Sequence, residues 1–135
     1  MRVPQKTDYA LRAAIELARL PEGATVAAGE IADRLGLPRR FVEQQITQMA
    51  KHGITICHRG PKGGCALARP AGEISAADVV HAVQGTLVDV PLVGGAAAET
   101  WKSMAATVTA YLESVSLEQL VQRQAVIDGA PIYYI

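Results

Sequence analysis

AGEIADRLGLPRRFVEQQITQMAKHGITICHRGPKGGCALAR, residues 28–69, decides the fold, because three local patterns follow one another in it. Ala28 to Leu35 places Ile31, Ala32 and Leu35 on one side of a short helix, and Gly36 supplies the stop. Leu37-Pro38 begins a second helix, with the proline in the first turn, where a missing N–H costs nothing. That helix carries Arg39 to Lys51 and ends at His52-Gly53. At about 100° per residue, Ile46 and Met49 fall beside Val42. Arg40, Gln44, Thr47 and Lys51 then gather on the opposite face, flanked by Glu43 and Gln48. Two helices joined by a tight glycine-containing turn form a helix-turn-helix.

The third pattern is a hairpin. Ile54 to His58 reads as a strand, Gly60-Pro61-Lys62-Gly63-Gly64 as a turn and Cys65 to Ala68 as the returning strand. A short hairpin directly after the second helix of a helix-turn-helix is a wing. Arg59 and Lys62 sit at its tip, where a long cationic side chain can enter a minor groove, and the glycines allow close approach of the backbone. The expected fold is therefore mainly α: a winged helix-turn-helix with a two-stranded wing.

Outward from this stretch the chain is helical. Thr7 to Leu20 has Leu11, Ile15, Leu17 and Ala18 near helical period, with Thr7 or Asp8 as a cap and Pro21-Glu22-Gly23 as the stop. Beyond Pro70, Ile74, Val79, Val80 and Val83 predict a helix over Ser75–Gln84 with Ser75 as its cap. Gly85 to Ala98 reads as a flexible stretch. A long amphipathic helix follows over Glu99–Val115, with Trp101, Met104, Ala105, Val108, Tyr111 and Leu112 on one stripe. Ser116 with Gln119 makes a capping box for a last helix, and the apolar tail 129–135 is expected to be ordered by packing. Residues 1–70 thus form the DNA-binding region, and residues 71–135 a connecting helix, a loop and dimerisation helices, in one compact domain.

The charge distribution agrees with a nucleic-acid partner although the formal net charge is zero. Residues 1–70 carry 11 Lys/Arg against 6 Asp/Glu, and residues 71–135 carry 2 against 7. Within 38–69 the basic residues are Arg39, Arg40, Lys51, Arg59, Lys62 and Arg69, and Glu43 is the one acid. Counterion release depends on such local cations, not on total charge. Arg and Gln suit bidentate reading of guanine and adenine edges, and Lys suits a phosphate. The candidate DNA-binding residues are Arg39, Arg40, Glu43, Gln44, Thr47, Gln48, Lys51, Arg59, Lys62 and Gly63. No stretch approaches the roughly 20 apolar residues of a membrane span, and the N-terminus has no signal-peptide pattern, so a cytoplasmic protein is expected.

Other chemistry is thin. Cys57 and Cys65 are the only cysteines. A hairpin centred near Pro61-Lys62 brings them within a residue or so of register, so a redox thiol pair and a pair of small strand residues both fit. A metal site from Cys57, His58 and Cys65 fits poorly, since adjacent strand residues point to opposite faces. His52 and His81 stand alone, and Gly60-Pro-Lys-Gly-Gly64 lacks the spacing of a P-loop. No nucleophile–base pair is assembled, which argues against an enzyme.

The sequence resembles the IscR/NsrR/CymR (Rrf) family of bacterial winged-helix regulators. The matching pieces are Lys6-Thr-Asp-Tyr-Ala-Leu-Arg12, Glu30-Ile-Ala-Asp-Arg34, Phe41-Val-Glu-Gln44, Arg59-Gly-Pro-Lys-Gly-Gly64, Leu67-Ala-Arg-Pro70, Ser75-Ala-Ala-Asp-Val79, Trp101 and Ser116-Leu-Glu-Gln-Leu120. The resemblance implies a transcription factor, here expected to be a repressor, that dimerises through the long helix and reads a pseudo-palindromic operator in double-stranded DNA. Trp101, Met104, Val108, Tyr111 and Leu112 are the expected homodimer interface. By position, Glu43 and Gln44 match base-reading residues, and Arg59 matches the wing arginine. Many members hold an iron–sulfur cluster with three cysteines in the loop before the long helix. Residues 85–100 of this chain contain none, so no iron–sulfur cluster, other cofactor or metal is expected. Asp8 matches a cluster carboxylate of the nitric-oxide-sensing branch, but alone it cannot hold iron. Sensing would then use a small ligand or partner protein at the 86–98 loop, with Val88, Val90, Leu92 and Val93 lining a pocket against Trp101, or oxidation of Cys57 and Cys65. The alternative to a DNA-binding regulator is a winged-helix protein-interaction module or a thiol-based redox regulator.

Overall fold

The computed structural model describes residues 2–86, 88–91 and 93–129. Their element order is α1 (Gln5–Ala18), α2 (Ala28–Leu35), α3 (Arg39–Lys51), β1 (Thr55–His58), β2 (Gly64–Leu67), a 3-10 turn (Ala71–Glu73), α4 (Ala76–Gln84), α5 (Ala96–Ser114) and α6 (Leu117–Ile127). This is a mainly helical winged helix-turn-helix with a two-stranded antiparallel wing.

Helix boundaries follow local chemistry. α2 spans the predicted residues and ends on Gly36 at φ 67°, a left-handed conformation that costs a glycine nothing. Ser75 and Ser116 each accept the N–H of the residue three positions on, and Asp78 and Gln119 return the bond, giving two capping boxes. These two helix starts lie side by side: the Ala76 N–H donates to the Val115 carbonyl at 2.8 Å and the Leu117 N–H to the Ile74 carbonyl at 2.9 Å. The 3-10 turn had no signal in the sequence.

Several boundaries depart from expectation, among them β1, which begins at Thr55 instead of Ile54, and α1, which ends at Ala18 instead of Leu20. α1 begins at Gln5 after Pro4, and neither Thr7 nor Asp8 caps it. Thr7 is buried inside the helix and its hydroxyl donates to the Gln84 side chain at the far end of α4. Pro38 precedes the first turn of α3 as its N-cap. The returning strand is Gly64–Leu67, shifted one residue toward the tip. α5 begins at Ala96 instead of Glu99, because Ala96-Ala97-Ala98 are strong helix formers that extend an already nucleated helix. The predicted ordering of the tail falls on 130–135, which lie outside the described residues.

One buried cluster joins the helix-turn-helix to the C-terminal helices. It contains Ala10, Ala13 and Leu17 of α1, Ile31 of α2, Val42, Ile46 and Met49 of α3, then Ile54, Ile74, Val79 and Leu117. The small residues of α1 allow close approach of α3 and α4, which both pack against it and against each other. α3 is therefore held from within, and its remaining face is left to solvent.

Candidate nucleic-acid interface

The apolar stripe of α3 sets the direction of its polar residues. Val42, Ile46 and Met49 are fully or almost fully buried, and Gln45 is buried beside them. Arg40, Glu43, Gln44, Thr47 and Lys51 are exposed, on the opposite face as expected. With Gln48 they line an open groove of about 380 Å³. Two bonds fix the helix that bears them. Thr55 Oγ1 on β1 donates to the Ile46 carbonyl at 2.8 Å, a buried bond that ties the wing to α3. Gln48 Nε2 donates to the Ala82 carbonyl at 3.1 Å and ties α3 to α4. Gln48 is thus placed differently from the others: its donor group is turned toward α4.

Arg39 is also set apart. Its Nε donates to Asp33 Oδ1 at 3.0 Å and its Nη2 to Asp33 Oδ2 at 2.6 Å. The guanidinium lies over Gly29, within 3.2 Å of where a Cβ would stand. This bidentate pair crosses the α2–α3 turn. The hydrogen bond from Arg39 holds the Asp33 carboxyl below its ordinary range, and the same bond raises the Arg39 guanidinium. Among the described residues, Arg40, Lys51, Arg59 and Lys62 have no salt-bridge partner. Their charge is uncompensated and available to an anion.

The wing is an antiparallel pair in the register Thr55↔Leu67, Ile56↔Ala66, Cys57↔Cys65, His58↔Gly64. Arg59 and Lys62 are exposed at its tip. The Gly63 N–H donates to the Gly60 carbonyl at 2.8 Å and closes the turn. A Cβ at Gly63 would collide with the His58 and Gly60 carbonyls, so this glycine is required by the turn itself. Sequence reasoning missed one tie. Val26, in the loop before α2, exchanges both backbone hydrogen bonds with Cys65, at 3.0 and 2.7 Å. Nothing in the local pattern of residues 24–27 signals a third partner for the wing. Cys57 and Cys65 are directly opposed and joined as a disulfide, with a Cα–Cα distance of 4.1 Å.

The residues at the sensor position do not suit an iron–sulfur cluster. Such a cluster needs about four ligands, mostly thiolates. The whole chain has two cysteines, both in the wing and bonded to each other. Asp8 is paired with Arg12 at 2.9 Å. Among the described residues, no group of three or more His, Cys, Asp or Glu could hold a metal ion. Of the residues expected to line an apolar pocket against Trp101, Val88 and Val90 are half-buried, Val93 is 81% exposed and Leu92 lies outside the described residues; Trp101 itself is 44% exposed.

α5 is 19 residues long and buries only Ala98. Trp101, Met104 and Tyr111 are exposed along it, and Val108 and Leu112 are half-buried. No described helix is long and apolar enough to cross a membrane.

Comparison with known proteins agrees with this architecture. The chain is 31% identical over 139 aligned residues to the HTH-type transcriptional regulator IscR of Xenorhabdus nematophila, covering 96% of this chain and 85% of that one. Its fold is similar to that of CymR, the global cysteine regulator of B. subtilis, with a TM-score of 0.81 at 26% identity, covering 91% of this chain and 98% of the other. IscR of T. potens matches with a TM-score of 0.83 over 99% of this chain and 94% of the other; at 22% identity that likeness concerns the fold alone. The model of the Rrf2 family, described as iron-dependent transcriptional regulator, matches residues 3–123. The helix-turn-helix, the wing and the long helix therefore belong to a non-enzymatic regulator, and the chain is a member of the Rrf2 family of transcriptional regulators.

Proposed function

We propose that the protein represses transcription in the bacterial cytoplasm by binding a pseudo-palindromic operator as a homodimer, without an iron–sulfur cluster. The observation that carries this reading is the pairing of two unneutralised cationic surfaces on one rigid unit. One is the groove of Arg40, Glu43, Gln44, Thr47 and Lys51; the other is the tip with Arg59 and Lys62. Thr55 couples them. Arg40, Glu43 and Gln44 read base edges in a major groove, Thr47 and Lys51 hold phosphates, and Arg59 enters the adjacent minor groove with Lys62 beside it. Gly63 lets the tip approach the sugar–phosphate chain. Arg39 and Gln48 flank these DNA contacts: Arg39 also braces the α2–α3 turn through Asp33, and Gln48, at the edge of the groove, ties α3 to α4 through Ala82.

The dimer reading rests on α5. A 19-residue helix is about 28 Å long, and one with a single buried residue has too little packing from its own chain to account for its apolar stripe. Covering Trp101, Met104, Val108, Tyr111 and Leu112 with the same face of a second copy gives a two-fold axis and two half-sites. Residues 1–70 and 71–135 then act as one unit, reading and dimerising. The absence of a thiolate set at the 85–100 loop supports a regulator with another input. A small ligand or a partner protein at the 86–98 loop is one such input, and the wing cysteines are the other.

The test is binding of the purified protein to genomic fragments over a salt series, with selection of the bound sequences. Specific fragments with two-fold symmetry and an affinity falling linearly in log–log form with salt are expected. Equal, salt-insensitive binding to all fragments would refute the reading. Transcription from a selected fragment should fall when the protein is added.

A further inference from the structure

We propose that Cys57 and Cys65 form a reversible redox site, exchanging with small disulfides, that sets the order of the wing tip and thereby the affinity for DNA. The part concerning affinity rests on the reading that the wing touches DNA; the part concerning tip order does not.

The site is built by register. Cys57 and Cys65 are directly opposed on antiparallel strands, so both side chains lie on one face of the hairpin. The same face turns Thr55 toward the core, which places the pair at its outer edge. The two residues differ in surroundings. Cys65 is 4% exposed, and both of its backbone hydrogen-bonding groups are taken by Val26. Cys57 is exposed. One thiol is thus a fixed anchor and the other is open to solvent.

Beyond the pair, little holds the tip. The bond spans a sequence separation of 8 and encloses Arg59 and Lys62. Inside it are one strand pair, His58↔Gly64, and one turn bond, Gly63 to Gly60. Gly60 stands at φ 106° and Gly64 at φ 148°, so the unclosed segment has wide backbone freedom. The disulfide makes the tip a closed ring and removes that freedom before DNA is met, which is preorganisation of Arg59. A protein bound to DNA works where thiols are held reduced, and disulfides there are transient and sensing.

The exchange balances with a glutathione-type disulfide. The Cys57 thiolate attacks one sulfur of the oxidant, forming a mixed disulfide and releasing one thiol. The Cys65 thiolate then attacks Cys57 Sγ, forming the internal bond and releasing the second thiol. Two protein thiols lose two electrons and two protons, and the oxidant gains both as two thiols. Reduction runs through attack on the exposed Cys57.

The experiment compares the full chain treated with dithiothreitol against the same chain treated with glutathione disulfide. Free thiols are counted by alkylation and mass, trypsin cleavage after Arg59 and Lys62 is timed, and affinity for a selected genomic fragment is measured. Cys57→Ser, at the exposed position, is the control that cannot close. Oxidation should remove both free thiols, slow cleavage at the tip by about fivefold and tighten specific binding by a similar factor. Cys57→Ser should match the reduced protein in either buffer. Two thiols persisting after oxidation, or identical cleavage in both forms, would overturn the redox site. Redox-dependent cleavage with unchanged DNA affinity would overturn the coupling. Redox-dependent cleavage with no DNA binding by either form would instead overturn the functional reading of the wing and leave the redox site standing.

Discussion

Arg39 and Arg40 are neighbours in sequence, yet among the described residues only Arg39 has its charge answered by a carboxylate. Asp33 takes both of its donors, whereas Arg40 faces the open groove. Arg40→Ala and Gln44→Ala should therefore relax sequence preference, each by about 1–3 kcal/mol at the base it reads, while Arg39→Ala should weaken all sequences alike. Competition against mutated operators measures this; equal losses on every sequence for all three variants would contradict it. The Asp33 carboxyl is depressed, so its pairing contribution is complete above the ordinary carboxylate value of 3.8 and is lost only as pH falls below it. The Arg39–Asp33 pair should add no pH dependence to DNA binding between about pH 5 and 8, where both partners stay charged. At the tip, Arg59→Ala should cost on the order of 1–3 kcal/mol of specific binding and leave melting unchanged. Gly63→Ala should lower binding for another reason, since a methyl there collides with two carbonyls of the turn. Titrations of both variants beside circular dichroism separate lost charge from lost shape.

At the level of elements, the caps and the core stripe were legible because their signals are local. Ser75 as a cap and Ser116 with Gln119 as a capping box mark the starts of α4 and α6; the structure has both, and adds Asp78 as the partner that completes a box at Ser75. Ser75→Ala should cost about 1 kcal/mol, read as a lower melting temperature. Met49→Ala should cost about 2–5 kcal/mol, because Met49 is fully buried where α3 meets the core. The start of α1 departs from its local signal for a physical reason. Thr7 is a good capping residue by type, but its hydroxyl is more useful inside the fold, bonded to Gln84. The contact joins residues 77 positions apart, and no local rule anticipates it.

For the whole molecule, the exposed stripe of α5 predicts a dimer. Light scattering at micromolar concentration should give twice the chain mass of 14.3 kDa, and Tyr111→Glu with Met104→Glu should return it to one. Anaerobically purified protein should be colourless and carry no stoichiometric iron or sulfide; a broad visible absorption with iron would reverse that expectation. Helix type, the helix-turn-helix order, the hairpin and the apolar stripe of α3 follow from the sequence alone, because each depends on spacing over a few residues. So does the shortage of thiolates, which is a matter of counting. Long-range pairing was decided only by tertiary structure: the exact opposition of Cys57 and Cys65, the third partner Val26, the retreat of Gln48 toward Ala82 and the bracing of Arg39 by Asp33. A one-residue shift in hairpin register would separate the cysteines, and a rotation of α3 would free Gln48. Such differences leave local propensities unchanged and are settled by which packing buries Val42, Ile46 and Met49 together.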